Sequence, residues 1–277
     1  MFRCHMYLDD AVIHGSTPSE HVEHLTSFFA RLKEHNLILA SSKSRIGATS
    51  IEFLGHCITP EGRGPDLNKV AALPDMPMPR DTFQLRFLLG GLSYYRQYLL
   101  NLAQTLKPLT FLLKKGVKFA FTSEMEKIVP QLIDTLSRPP ILVFPDWSAA
   151  ENGSRPFRLH TDSFKIGLGC TLEQEQPDAN IRLIVYLSRT TYPNEQNWSV
   201  MEQEAGAIVW GLRRLRQYLY DIPFVIYIDH KSSKNLAKMA EHNARVQRWF
   251  EILSSYNFTL KCRTGPPNAN ANFLSRL

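Results

Sequence analysis

From His5 to His14 two short apolar runs are joined by Asp9-Asp10, the pattern of a β-hairpin whose turn carries carboxylates. The period then changes. Ser19 to His35 places Val22, Leu25, Phe28, Phe29 and Leu32 at three- and four-residue spacings, with Glu20, Glu23, Lys33 and Glu34 elsewhere, which predicts an amphipathic surface helix. Ile51 to Ile58 with the Glu61-Gly62 pair reads as strand and turn. A second amphipathic helix is predicted from about Asp81 to Gln104. It opens with Asp81-x-x-Gln84, a capping-box-like signal, and contains Phe83, Phe87, Leu88, Leu92, Tyr95 and Leu99. Between Arg138 and Ser154, Pro, Ser, Gly and Asn accumulate and helical periodicity stops, which predicts a linker.

Beyond that stretch short strand patterns come first: Phe157 to Thr161, Gly167 to Leu172 and Ile181 to Leu187. A long helix follows from Ser199 to Leu219. Ser199-x-x-Glu202 is its capping box, and Ile208, Val209, Leu212, Leu215 and Leu219 form one stripe. A fourth strand at Phe224 to Ile228, a helix from Arg245 to Tyr256 and a fifth strand from Phe258 to Arg263 complete the order. Strands followed by alternating helix and strand predict a mixed sheet with helices packed on it, so the fold class is α+β / α/β.

Composition narrows this only modestly. With 44% hydrophobic residues the chain can bury a core, so disorder and fibrous classes are excluded. Its four cysteines never form a C-x-x-C, so neither a disulfide framework nor a cysteine zinc site is suggested. No apolar run approaches the roughly 20 residues a membrane helix needs, and the N-terminus lacks a signal-peptide apolar region. The expected setting is intracellular, cytoplasmic or nuclear, without a membrane partner. A net charge of +6 suits a nucleic-acid partner and an ordinary basic enzyme alike.

Chemistry is suggested by three acids. Asp162 ends the predicted first strand, Glu204 lies in the first turns of the long helix, and Asp229 follows the fourth strand. Strand ends and a helix N-terminus can converge at one sheet edge, where facing carboxylates repel unless a cation lies between them; hard oxygen ligands favour Mg²⁺ or Mn²⁺. Taken singly, each is read more simply as a solvated cap or loop acid.

The ordered motifs resemble the reverse transcriptase and ribonuclease H region of gypsy-type LTR retrotransposon polyproteins. Tyr7-Leu8-Asp9-Asp10 is similar to the Tyr-x-Asp-Asp polymerase motif, Phe53-Leu54-Gly55-His56 with Glu61-Gly62 to the primer-grip segment, and Phe87 through Arg96 to the thumb signature. His160-Thr161-Asp162-Ser163, Tyr186-Leu187-Ser188-Arg189, Glu202-Gln203-Glu204-Ala205, Asp229-His230, Arg248-Trp249 and Asn268 through Arg276 follow the ribonuclease H block in order. The resemblance implies a partial palm over residues 1–65, a thumb-like helical segment over 66–115, a connection over 116–154 and a ribonuclease H-like five-stranded domain over 155–277.

It also implies roles. Asp162, Glu204 and Asp229 become three of four metal-binding carboxylates holding two Mg²⁺ or Mn²⁺ ions, with Glu202 the rival for the glutamate's part. The family's fourth acid sits in Ala-Asp-x-Leu-Ser-Arg, and here the segment reads Ala271-Asn272-Phe273-Leu274-Ser275-Arg276, so Asn272 supplies an amide without charge. The implied reaction is cleavage of the RNA strand of an RNA–DNA hybrid; the alternative is a decayed or domesticated fragment that only binds nucleic acid. Polymerase activity is expected to be lost, because the upstream palm aspartate and the fingers have no counterpart in the sequence and leave Asp9 and Asp10 as remnants. Template-primer contacts are expected from Gly55, His56, Tyr94, Tyr95 and Arg96. Arg213 and Arg214 are a candidate phosphate-binding face, for which a solvated helix face is the simpler reading. The missing fingers, palm and integrase parts are the expected protein partners. His21 and His24 read as surface histidines, and Tyr95 and Trp249 as packing.

Overall fold

The computed structural model describes residues 3–71, 73, 77–137, 141–164, 166–228 and 244–262. The chain divides into two units, one of residues 1–54 with 58–60, the other of 55–57 with 61–277.

In the first unit, β1 (Cys4–Tyr7) pairs antiparallel with β2 (Asp10–Ile13). Tyr7 opposes Asp10, so the connecting residues are Leu8 and Asp9, one position earlier than the Asp9-Asp10 expected. Leu8 takes a left-handed φ of 53°, a conformation that costs a leucine what it would not cost a glycine. Helix α1 (Pro18–Glu34) starts where Thr17 accepts from the Glu20 amide with Pro18 in the first turn. Its expected apolar stripe is only partly realised. Phe28 is buried, whereas Val22 and Phe29 are exposed, because nothing in this unit covers that face. The strand predicted over Ile51–Ile58 is interrupted by Leu54 and Gly55, both at positive φ, giving β3 (Ile51–Phe53) and β4 (His56–Thr59). β5 (Gly62–Pro65) follows.

The second unit holds two apolar cores. One gathers Leu85, Leu88, Leu89 and Leu92 of α3 (Thr82–Tyr94), after the short α2 (Leu67–Ala71), with residues of α4 (Leu102–Thr105), α5 (Lys107–Phe111) and α6 (Ser123–Ser137). The single helix expected to Gln104 ends at Tyr94. A 3₁₀ turn spans Arg96–Tyr98, and Asn101 at φ 52° precedes α4. The break has tertiary causes that periodicity does not register: the buried Tyr98 hydroxyl reaches His56 Nδ1 at 3.0 Å, and Arg96 donates to the Ser188 carbonyl at 2.9 Å. The buried stripe is also displaced, since Phe83 and Phe87 point to solvent at 77% and 70% exposure.

The proline-rich stretch is not a loose tether. Leu142 exchanges two backbone hydrogen bonds with Arg63, and the Val143 amide donates to Leu183 at 2.9 Å. Asp146 caps α7 (Trp147–Glu151) and pairs with Arg155, while the fully buried Gln174 amide bonds the backbone of Asp146 and Arg155. Within residues 141–154 the linker expectation is corrected: Leu142 and Val143 are buried anchors.

The second core lies under a five-stranded sheet of order β10-β9-β6-β7-β8. Its strands are β6 (Phe157–Phe164), β7 (Gly167–Glu175), β8 (Ile181–Thr190), β9 (Phe224–Ile228) and β10 (Phe258–Cys262). β6, β7 and β8 are antiparallel in turn, and β9 is parallel to both β6 and β10. Against it lie α8 (Val200–Arg214), α9 (Arg216–Leu219) and α10 (Ala244–Ser254). At Gly211 an added Cβ would stand 3.5 Å from the buried Cys170 sulfur, an ordinary contact. Gly206 is tighter, with a Cβ position 2.6 Å from the Trp198 ring, which is packed edge-on against Trp249. Gly206→Ala is therefore expected to lower the unfolding free energy by about 1–3 kcal/mol, read as a reduced midpoint in urea; an unchanged midpoint would refute that packing constraint.

Among the described residues no helix is long and apolar enough to cross a membrane.

Candidate functional site

Asp162 does not end its strand. β6 continues to Phe164, and Asp162 lies opposite Gly169 of β7, whose lack of a side chain leaves room beside the carboxylate. Its neighbour Ser163 donates from Oγ to Glu204 Oε1 at 2.7 Å, which brings the α8 carboxylate to β6. Thr161 is buried on the other side of Asp162.

Glu202 and Glu204 take different places. Ser199 caps α8, its Oγ accepting from the Glu202 amide, while Glu202 Oε2 accepts from the Ser199 amide at 2.9 Å. Glu202 Oε1 further accepts from Arg245 at 3.3 Å. Glu202 thus completes the capping box, and Glu204, two residues on, meets β6. The loop leading to that cap is held by Arg189, whose guanidinium donates from both terminal nitrogens to Glu195 at 2.6 and 2.7 Å and lies over the rings of Tyr192 and Trp210. Burial pushes the Glu195 carboxyl up, but the Arg189 bonds and the Tyr192 amide outweigh it and hold it below the ordinary glutamate range.

Asp229 is the residue after Ile228, the end of β9; Asp229, His230 and Asn272 lie outside the described residues. The described contact therefore joins Glu204 to Ser163, the residue next to Asp162 on β6. Among the described residues no group of three or more histidine, cysteine or carboxylate side chains is arranged around a single metal position. Ser163 entered the sequence reading only as part of the His160-Thr161-Asp162-Ser163 motif, without a role. Its only signal was adjacency to Asp162.

The other expected residues are spread out. Asp9 and Asp10 are exposed at the β1–β2 turn. Gly55, at φ 71°, is required by close approach, because a Cβ would stand 2.6 Å from the Tyr94 hydroxyl oxygen. His56 stacks on Tyr94, with centroids 5.5 Å apart, and its Nδ1 lies 3.0 Å from the Tyr98 hydroxyl. Tyr95 is core at 5% exposure, so its expected nucleic-acid contact is corrected to packing; the shared stripe with Leu92 and Leu99 was the signal. Tyr94 remains half exposed, Arg96 braces β8, and Arg213 and Arg214 are exposed in the last turn of α8, where cations favour the helix dipole. His24 is not a surface histidine: it is 7% exposed, with Nδ1 2.8 Å from the His14 carbonyl oxygen.

Burial, then the nearby Arg63 and Lys69, push the His56 imidazole below its ordinary range, while burial pushes the Tyr98 phenol up to about 12. A histidine with a lowered folded value contributes stability that is complete above its unfolded value, about 6.5, and is lost as pH falls through the folded one. The melting temperature is thus expected to fall below that pH, with a shallower fall in His56→Leu; identical slopes in the two proteins would contradict the assignment.

Three parallel strands, β10, β9 and β6, continued by the antiparallel β6-β7-β8 meander, with a helix-borne glutamate brought to the first strand, define the ribonuclease H-like class of protein. Residues 152–256 match the family model described as an RNase H-like domain found in reverse transcriptase, and residues 1–58 match that of reverse transcriptase (RNA-dependent DNA polymerase). The chain is 35% identical over 276 residues to the retrovirus-related Pol polyprotein from transposon 297 of Drosophila melanogaster, covering 99% of this chain and 25% of that protein. It is 30% identical to the Pol polyprotein from transposon gypsy of the same species, covering 99% and 27%, and 30% identical to the transposon Tf2-3 polyprotein of Schizosaccharomyces pombe, covering 98% and 20%. It spans about a quarter of the length of these relatives. Among solved structures, a foamy viral protease-reverse transcriptase in complex with double-stranded DNA superposes with a TM-score of 0.80 at 22% identity, over 96% of this chain and 46% of that one. The same kind of protein in complex with an RNA/DNA hybrid gives 0.78 at 21%, over 99% and 36%. The chain belongs to the reverse transcriptase and ribonuclease H region of gypsy-type LTR retrotransposon Pol polyproteins.

Proposed function

We propose that this chain is a metal-dependent endonuclease that cleaves the RNA strand of an RNA–DNA hybrid. The observation that carries the reading is the delivery of Glu204 from α8 to Ser163, the residue next to Asp162 on β6, through a 2.7 Å bond. The donors fit hard divalent cations: both acids are only partly buried, and both offer carboxylate oxygens. Asp162, Glu204 and Asp229 would hold Mg²⁺ or Mn²⁺, with Asn272 as a neutral fourth ligand. Bound there, two such ions supply an activated water and neutralise the leaving oxygen. The protein's own part is positional. Ser163 fixes one Glu204 oxygen, and Gly169 keeps space opposite Asp162. Nucleic-acid binding is supported by the half-exposed Tyr94, the exposed Arg213 and Arg214, and the bound nucleic acids of the foamy viral neighbours.

The test is incubation of the chain with a labelled hybrid and with duplex DNA of the same sequence. Cleavage of the hybrid RNA strand alone, dependent on Mg²⁺ or Mn²⁺, is expected. No cleavage with either ion, together with salt-sensitive binding, would replace this reading with that of a binding-only fragment.

A further inference from the structure

On the β1–β2 hairpin, His5 opposes Val12, and the ladder extends one pair further through the His14 amide, which donates to the Arg3 carbonyl at 3.3 Å. His14 lies two residues beyond Val12, so His5 and His14 are diagonal neighbours on one face of the hairpin. Their rings are nearly parallel, at 5° with centroids 5.3 Å apart, and the two Nε2 atoms stand 3.2 Å from each other. Without a metal this is an N–H···N hydrogen bond, one ring protonated on Nε2 and the other on Nδ1. Two nitrogens bound at about 2.0–2.1 Å to a tetrahedral ion would stand about 3.3–3.4 Å apart. The backbone register has already brought the nitrogens to nearly that separation.

We propose that His5 and His14 form a two-imidazole binding site for a borderline late first-row divalent cation, of which Zn²⁺ is the representative. The donor type decides the class of ion: imidazole suits Zn²⁺, Cu²⁺ and Ni²⁺, whereas the carboxylates of Asp9, Asp10, Asp162 and Glu204 suit Mg²⁺ and Mn²⁺. On binding, the Nε2 proton of one ring passes through solvent to its own Nδ1, both imidazoles remain neutral, and each Nε2 lone pair binds the ion. Both side chains are exposed, so water completes the coordination. The bound ion ties β1 to β2 across a two-stranded sheet that is marginal on its own.

Titration of the full chain with ZnCl₂ in saturating Mg²⁺, which occupies the carboxylates, tests this by calorimetry and by imidazole ¹⁵N shifts. One equivalent is expected to shift the Nε2 resonances of His5 and His14 together. His5→Gln and His14→Gln should each weaken that binding roughly tenfold or more, and the double variant no further, because one imidazole alone cannot chelate. His21→Gln, on α1, should bind as the wild type does. Zn²⁺ shifts confined to other histidines, or unchanged affinity in both single variants, would overturn the proposal. Should the variants lose the amide dispersion of residues 3–14, the wild-type nitrogen shifts decide the matter alone.

Discussion

Asp162→Asn is expected to lower hybrid cleavage by roughly a hundredfold or more, equivalent to about 2.7 kcal/mol of barrier at 1.36 kcal/mol per factor of ten. Glu204→Gln should do the same. Both substitutions keep shape and remove charge, so the loss should come with an unchanged urea midpoint and, if the acids act as metal ligands, with a higher Mg²⁺ concentration for half-maximal rate. Ser163→Ala removes only the hydroxyl that orients Glu204 at 2.7 Å, and a milder loss on the order of 10- to 100-fold is expected. Glu202→Gln serves as the contrast: it weakens the α8 cap and the Arg245 pairing, and should cost stability before it costs turnover. If Glu202→Gln abolished cleavage in a folded protein while Glu204→Gln left it intact, the assignment of the glutamate would be reversed.

Asn272→Asp is expected to raise the rate at low Mg²⁺ by roughly tenfold or more, about 1.4 kcal/mol in the same conversion. The physical reason is charge. An amide oxygen ligates a cation as a dipole, whereas a carboxylate adds a full negative charge and a second oxygen to a site built from hard donors. The gain should shrink as Mg²⁺ approaches saturation, because tighter metal binding no longer limits turnover there. A rate that is the same in both proteins at every Mg²⁺ concentration would show that position 272 has no part in the reaction.

Several elements were legible because the local signal and the tertiary demand coincide. Ser199-x-x-Glu202 sets the start of α8 through bonds within four residues of one another, and the apolar stripe behind it fits the sheet it covers. The hairpin around Leu8 and Asp9, the strand Phe224–Ile228 and the order of strands in the second half follow from the same agreement. Where the structure departs from the pattern, a distant partner is responsible. The helix expected to Gln104 stops at Tyr94 because the Tyr98 hydroxyl and the Arg96 guanidinium find partners at His56 and Ser188, 42 and 92 residues away. Phe83 and Phe87 point to solvent because Leu85, Leu88, Leu89 and Leu92 are the face that the neighbouring helices cover. The proline-rich stretch reads as a linker by composition, yet Leu142 and Val143 bond to Arg63 and Leu183, which no local rule anticipates.

The candidate site divides the same way. The sequence by itself determined the type and order of the acids around strands and helix starts, Asp162 and Glu204 among them, since these depend only on the chain. It also determined the departure at Asn272. Only the tertiary structure decided which glutamate meets β6, that Ser163 joins it to the strand, and that His5 and His14 meet nitrogen to nitrogen. Side chains 41 residues apart, or on opposite strands of a hairpin, acquire a distance only when the sheet register and the helix packing are set, and 2.7 Å and 3.2 Å are products of that register.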